Sequence, residues 1–357
     1  MAYTNIDDPS AFFHTQLYAG NGSTQSITND GNSDLQPDLL WIKSRSDSSF
    51  NALTDSTRGT SKRIYSNSTA AEESHADRVT AFNSDGFSLG GSSLVNTNNY
   101  NYAAWQWKAN GGTTTAFNES GSNPGGTRQT NTDAGFSIIG YTGTGSNGTI
   151  AHGLPSTPEF IIFKRRDADQ FWCVWHQAIG DDYKLALQTQ GALDADGAFM
   201  NSTLPTSSNI TVGGASVNTN ANNGTYICYA FSPIQGYSKF GSYEGNGNAN
   251  GPFVYTGFKP AWVMIKNVDN GGYDWAIMDS TRTPTNANGT YEFLWANLSA
   301  AEFTDGDSGI NMEIDFLSNG FKIRTARPEL NLASTFIYMA FAENPFTTST
   351  GIPTTAR

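Results

Sequence analysis

Five short stretches of this chain carry residue types that could do chemistry. In GFSLG (86–90) Ser88 has the spacing of a nucleophile elbow. That chemistry needs a sharp strand-to-helix turn and a histidine base. The residues that follow, LGGSSLVNTNNY, do not read as a helix, so the elbow lacks its support. GTGSNG (143–148) has the glycine spacing of a phosphate loop, but no helix opens after it and no βαβ unit surrounds it. It reads as a glycine-rich hairpin loop. DGDSG (305–309) places Asp305 and Asp307 in a calcium-like D-x-D run. The calcium loop's full pattern of ligands is missing, so these two are weak metal candidates and no cofactor is expected. His14, His75, His152 and His176 share no H-x-x-x-H spacing, which argues against zinc.

The other two stretches are near copies, DSTRG (55–59) and DSTRT (279–283). Asp55 with Arg58, and Asp279 with Arg282, can staple a turn by a local ion pair. The same guanidinium can instead hold a carboxylate of a ligand or assembly partner in two parallel hydrogen bonds. Trp172 and Trp275 have two uses as well, core packing or stacking at a contact. These six residues are the candidate ligand or assembly contacts. No paired carboxylates can be placed at glycosidase distance. A non-enzyme is expected, with glycan cleavage as the distant alternative.

The elements that position these residues come from a repeat. PDLLWIK (37–43), PEFIIFK (158–164) and PAWVMIK (260–266) each follow a Tyr-x-Gly-x-Gly: YAGNG, YTGTG and YEGNG. The tyrosine-to-lysine spacing is 25, 23 and 23. An aromatic comes next, at Phe50, Trp172 and Trp275, and each copy closes with YNYAAW, YICYAF or FIYMAF. Four landmarks in one order, three times, make an internal repeat. The copies are long enough to be small domains. The proline-led runs read as buried strands, with proline placed before the ladder. NSDGF (83–87) and LSNGF (317–321) read as hairpin turns. STAAEESHADRV (68–79) and NLSAAEF (297–303) look helical.

The expected fold is all-β, three related antiparallel β-sandwich repeats with at most short helices. The division is an N-terminal arm (1–16), repeat 1 (17–109), a Gly/Ser/Thr/Asn-rich linker (110–132), repeat 2 (133–233), repeat 3 (234–346) and a polar tail (347–357). Repeats 2 and 3, closely joined, are expected to pack as a pair.

Composition agrees. Hydrophobic residues are 37% and charged residues 15%, with Gly, Asn, Ser and Thr filling the difference, while 13% aromatics supply a core. The net charge of −12 repels phosphate backbones, so no nucleic-acid partner is expected. No apolar stretch approaches a membrane span, and no membrane insertion is expected. The opening MAYTNIDDPSAFFHTQ lacks the basic start and apolar run of a signal peptide, so synthesis in a cytoplasm is expected. Cys173 and Cys228 read as core thiols.

LQPDLLWIKSRS, DSTRG, AFNSDGFSLG and YAAWQWKANGG resemble a repeat family of virion-associated proteins of marine tailed bacteriophages. NTDAGFSIIGYTGTGSNGTIAHGL, GYSKFGSYEGNGNANGPFVYTGFKPAWVMIK and FLSNGFKIR are similar to its later copies, and the likeness runs to Phe346. Repeat 2 departs, with HQAIG where its sisters have DSTR. The resemblance implies a structural or tail-fibre-like virion protein, with no catalytic residues to carry over. The expected function is a non-enzymatic tail adhesin or fibre component presenting loops to host-surface glycans. The alternative is a capsid decoration or tail-junction protein. Its partners would be other virion proteins, and a homo-oligomer, a trimer by analogy, is expected.

Overall fold

In the computed structural model, residues 2–284, 286, 291–304 and 311–354 are described. Repeat 1 holds β1 (Phe13–Ala19), β2 (Gln25–Ile27), β3 (Leu39–Ser44), β4 (Ala52–Asp55), β5 (Lys62–Tyr65), β6 (Glu73–Ser74), β7 (Val79–Phe82), β8 (Phe87–Leu89) and β9 (Asn101–Trp107). Repeat 2 holds β10 (Thr115–Phe117), β11 (Gly126–Asn131), β12 (Phe136–Thr142), β13 (Gly148–Ala151), β14 (Phe160–Arg165), β15 (Cys173–His176), β16 (Tyr183–Lys184), β17 (Asp194–Ala195), β18 (Asn209–Val212) and β19 (Thr225–Phe231). Repeat 3 holds β20 (Ser238–Glu244), β21 (Phe253–Tyr255), β22 (Phe258–Asn267), β23 (Ala276–Asp279), β24 (Glu292–Trp295), β25 (Phe303–Thr304), β26 (Ile314–Leu317), β27 (Gly320–Ile323) and β28 (Thr335–Pro345).

The large sheets share one plan. Their orders are β1-β9-β3-β4-β5-β6, β12-β19-β14-β15 with β11 and β10 added outside β12, and β20-β28-β22-β23-β24-β25. Each is antiparallel, and each proline-led run lies between the closing strand and the next strand in sequence. A smaller sheet packs on one face: β2-β8-β7, β13-β18 and β21-β27-β26. The all-β sandwich class expected from the sequence is the observed one.

Both faces of each large sheet are buried, which is why the runs lack alternation. Leu40, Ile42, Tyr102 and Ala104 face repeat 1's own small sheet, with Phe87 and Leu89. Leu39, Trp41, Trp105 and Trp107, on the other face, join a core shared with Phe231 of repeat 2 and with Trp262 and Phe341 of repeat 3. Trp107 lies 5.7 Å from both Trp262 and Phe341, and Phe231 lies 6.0 Å from Phe341. Trp107, Phe231 and Phe341 are equivalent positions on the three closing strands, opposite Leu39, Phe160 and Trp262.

The Tyr-x-Gly-x-Gly motif proves to be a clasp. The hydroxyls of Tyr18, Tyr141 and Tyr243 donate to the carbonyls of Val95, Thr219 and Leu330 at 2.7, 2.6 and 2.7 Å. The next residues, Asn96, Asn220 and Asn331, are fully buried and accept from the glycine loop at Asn21, Thr144 and Asn246. The first glycine admits a close backbone: a Cβ on Gly20, Gly143 or Gly245 would stand 2.0–2.3 Å from a carbonyl oxygen. The second, Gly22, Gly145 or Gly247, has φ of +65 to +71°, open to glycine at little cost.

Several expectations are corrected. The stretch 110–132 is not a free linker: it supplies β10 and β11, an added hairpin on repeat 2's large sheet. The N-terminal arm, residues 1–16, is shorter than expected, since β1 begins at Phe13, and it lies on the body, with Tyr3 and Phe12 against Gly257 and Tyr237 of repeat 3. Within the tail, Ser349 donates to Asp7. Segments 68–79 and 297–303 are not helical, because their backbone groups are used by a neighbouring repeat. The α-helices among the described residues are single turns, α1 (Ser93–Asn96) and α2 (Pro328–Asn331). GTGSNG is not a hairpin loop, since it links β12 to β13 in a different sheet. Repeats 2 and 3 pack together as expected, but as one of three seams in a closed ring.

Candidate functional site

The chemistry-bearing residues converge on the seams between repeats. At each seam the proline-led strand of one repeat meets a strap from another. Lys43, Lys164 and Lys266 end these runs and are fully buried. Their ammonium groups donate to Ser299, Thr69 and Gln190 carbonyls at 2.9, 2.6 and 3.3 Å. The acceptors belong to repeats 3, 1 and 2, so the seams run 1 to 3, 2 to 1 and 3 to 2 and close a ring. Each lysine also donates to a carbonyl of its own repeat: Ser49, Gln170 and Tyr273. Burial lowers all three pKa values to about 8.

A second donor reinforces each seam. The Trp172 indole N–H donates to the Tyr65 and Ser68 carbonyls at 2.9 and 3.1 Å. The Trp275 indole donates to Ala186 at 3.2 Å. The strand register makes Asn51, not Phe50, their equivalent, since Ala52, Cys173 and Ala276 share one position. Asn51 donates to Trp295, Ala296 and Leu298 carbonyls at 3.0–3.2 Å. Phe50 is half-exposed, with its ring 4.9 Å from Tyr65. Trp172 and Trp275 are therefore contacts between repeats, buried from any sugar.

The Asp-Arg pairs sit at two of the three seams. Arg58 binds Asp55 at 2.5 Å and Arg282 binds Asp279 at 2.6 Å, with all four side chains fully buried. Each arginine also reaches a glutamate on the strap of its own repeat, Glu72 at 3.2 Å or Glu302 at 3.0 Å. The neighbouring repeat completes the network: Arg166 reaches Glu72 at 2.9 Å, and Arg45 reaches Glu302 at 2.7 Å. It also gives a donor to each aspartate, the Tyr229 hydroxyl to Asp55 at 2.7 Å and the Trp105 indole to Asp279 at 3.1 Å. Burial alone would lower the Arg58 pKa, but Asp55, Tyr229 and Glu72 outweigh it and raise it.

The third seam replaces the whole set. By register His176 stands where the sisters have Asp55 and Asp279, and Ile179 where they have Arg58 and Arg282. The Leu193 amide donates to Val268 O at 2.9 Å, matching Glu72 to Arg166 and Glu302 to Arg45. Met339 takes the place of Tyr229 and Trp105. All five positions have changed together, to one imidazole and four apolar side chains. That is consistent with the cost of leaving a buried charge without its partner. Burial lowers the His176 pKa to about 3, so the ring stays neutral.

The remaining motifs are structural or fall elsewhere. Ser88 lies on β8, its hydroxyl paired with Ser26 and Asn83. Cys173 and Cys228 are buried free thiols on β15 and β19, and burial pushes the Cys173 pKa up to about 12. Asp305 and Asp307 lie outside the described residues. Among the described residues, no three His, Cys, Asp or Glu side chains are grouped to hold a metal ion. No helix among them is long and apolar enough to cross a membrane. Sequence reading missed Arg45, Glu72, Arg166 and Glu302. Their signal was the recurrence of TAAE (69–72) as SAAE (299–302), which the helical look of both stretches concealed.

Residues 8–345 match the family described as a domain of unknown function (DUF7483). No curated protein and no solved structure matches the chain.

Proposed function

Given that this chain belongs to the DUF7483 family, we propose that it is a non-enzymatic bacteriophage virion protein. In this reading it is a tail adhesin or fibre component that presents its surface to host-surface glycans. One observation carries the reading: the charged, amide and indole groups of the repeat motifs are turned inward, into seams that bind three sandwiches through one core. A part that bears load at a cell surface needs such a rigid head, while its loops remain free to vary. The protein is made in the host cytoplasm and works in the particle, with other virion proteins as neighbours.

The test is twofold. Mass spectrometry and gold labelling of purified particles should place the chain at the tail. An array of host-surface oligosaccharides should show binding by the purified chain. Absence from particles, or a blank array, refutes the reading.

A second reading, a capsid decoration or tail-junction protein, draws on the ring of three units, which suits a threefold position. Labelling on the shell would favour it. Light scattering tests the expected homo-oligomer, since a lone chain has a mass of 38.4 kDa.

A further inference from the structure

We infer that the saccharide site lies on the open side of repeat 3, a conclusion that rests on the adhesin reading. There the edge strand of the large sheet, β20, faces the edge strand of the small sheet, β21. Two adjoining depressions, about 350 and 430 Å³, run along this side and share Gln177, Lys239, Phe240 and Tyr255.

Two differences set this side apart from the same place in both sister repeats, and a third sets it apart from repeat 2. First, Phe253 and Tyr255 are 46% and 51% exposed. The inward residues Val254, Ile27 and Ile150 pair with Phe321, Phe87 and Ile210 at one register position. The outward pair is therefore Ser26 and Thr28 in repeat 1, and Thr149 and Ala151 in repeat 2. The fold does not need aromatics there. Second, Tyr338 stands where repeat 1 has Ala104 and repeat 2 has Cys228. It lies across Gly241, where a Cβ would come within 2.6 Å of its hydroxyl. Among the described residues that hydroxyl meets no hydrogen-bond partner, and Tyr338 lines the depression. Third, repeat 2 closes this side with its own hairpin: Thr130 on β11 donates to His152, and Asn123 accepts from Thr149. Repeat 3 leaves it open.

The chemistry suits a sugar. A pyranose has an apolar C–H face and a rim of hydroxyls, so it needs flat rings beside donors and acceptors. The rings are Phe253 and Tyr255. The polar groups are Glu159, Gln177, Lys239 and the Tyr338 hydroxyl. Lys239 already donates to Tyr255 O at 2.8 Å, its ammonium 5.1 Å from the ring centre, and Gln177 donates to Glu159 at 2.8 Å. The core of a protein interface is depleted of such charged residues. The consequence is one site per chain rather than three, so repetition supplies rigidity and not avidity.

The experiment uses the full chain on an array of bacterial lipopolysaccharide and capsular fragments. The double variant Phe253→Ser/Tyr255→Thr carries the residues repeat 1 has at these positions, so it should fold as wild type by circular dichroism. Its affinity should fall at least about thirtyfold. Tyr338→Phe, which removes only the unpartnered hydroxyl, should cost roughly three- to tenfold. Wild-type affinity in the folded double variant would overturn the site while leaving the adhesin reading intact. A blank array for wild type would overturn both. Protection of the Phe253–Tyr255 strand by another virion protein, seen by hydrogen exchange on particles, would assign the groove to a protein contact and overturn the site alone.

Discussion

Replacing Arg58 alone and replacing its whole seam should have opposite consequences. Asp55 accepts from the Arg58 side chain at 2.5 Å, the Arg58 amide at 2.9 Å and the Tyr229 hydroxyl at 2.7 Å, with no exposed surface. Arg58→Ile keeps the last two and strips the counter-charge, leaving a carboxylate buried. Breaking one partner of a buried pair costs about 3–5 kcal/mol. The fivefold variant Asp55→His, Arg58→Ile, Glu72→Leu, Arg166→Val, Tyr229→Met recreates the third seam of this same chain. Exchange of a buried ion network for packed apolar groups is often neutral or stabilising by about 1–4 kcal/mol. The fivefold variant should therefore match or exceed wild type and stand at least about 3 kcal/mol above Arg58→Ile. Urea unfolding followed by tryptophan fluorescence measures this, provided the slope is common to all three proteins. If the fivefold variant is as unstable as Arg58→Ile, the seams are not interchangeable solutions to one packing problem.

Three further outcomes follow from the same contacts. Burial holds the His176 pKa at about 3, while the unfolded chain takes up that proton near 6.5. Stability is thus untouched by this group above pH 7 and falls as pH drops from about 6.5 toward 3, by up to roughly 4 kcal/mol; His176→Met should flatten that limb, and parallel acid limbs would exclude the assignment. Gly245→Ala drives a Cβ to 2.0 Å from Leu332 O, whereas Gly59→Ala meets nothing within 4 Å and is opposed by its φ of +92° alone. The first should cost more than about 2 kcal/mol and the second about 1, and equal urea midpoints would count against the clasp. Cys173 and Cys228 should resist a thiol reagent in the native protein and both react in urea; absence of free thiol after unfolding would contradict the buried pair.

The repeat was legible because its landmarks serve the backbone. Each glycine of Tyr-x-Gly-x-Gly answers a close carbonyl or a positive φ, and no other residue does so cheaply. The proline-led runs were legible as buried strands, but not why both faces were buried, since their second face meets residues of the other repeats. TAAE and SAAE misled because alanine and glutamate favour helix locally. Here the strap's carbonyls and amides are claimed by Lys43, Lys164, Arg45 and Arg166 of another repeat. Phe50 misled by one position, because spacing alone cannot separate it from Asn51, whose amide makes the contact. Hairpin 115–131 hid in a composition of Gly, Thr and Asn because it lies on an edge and buries little.

The unequal seams bear on the history of the molecule. A ring of three separate identical chains must carry the same joint three times, since any change in the gene appears at every joint at once. A joint with His176, Ile179, Leu193, Val268 and Met339 beside two ionic ones needs units of different sequence, which one polypeptide carrying three copies supplies. Covalent linkage thus lets one joint do without charges and one flank carry aromatics that its sisters lack, and the ring becomes a body with a front and a back.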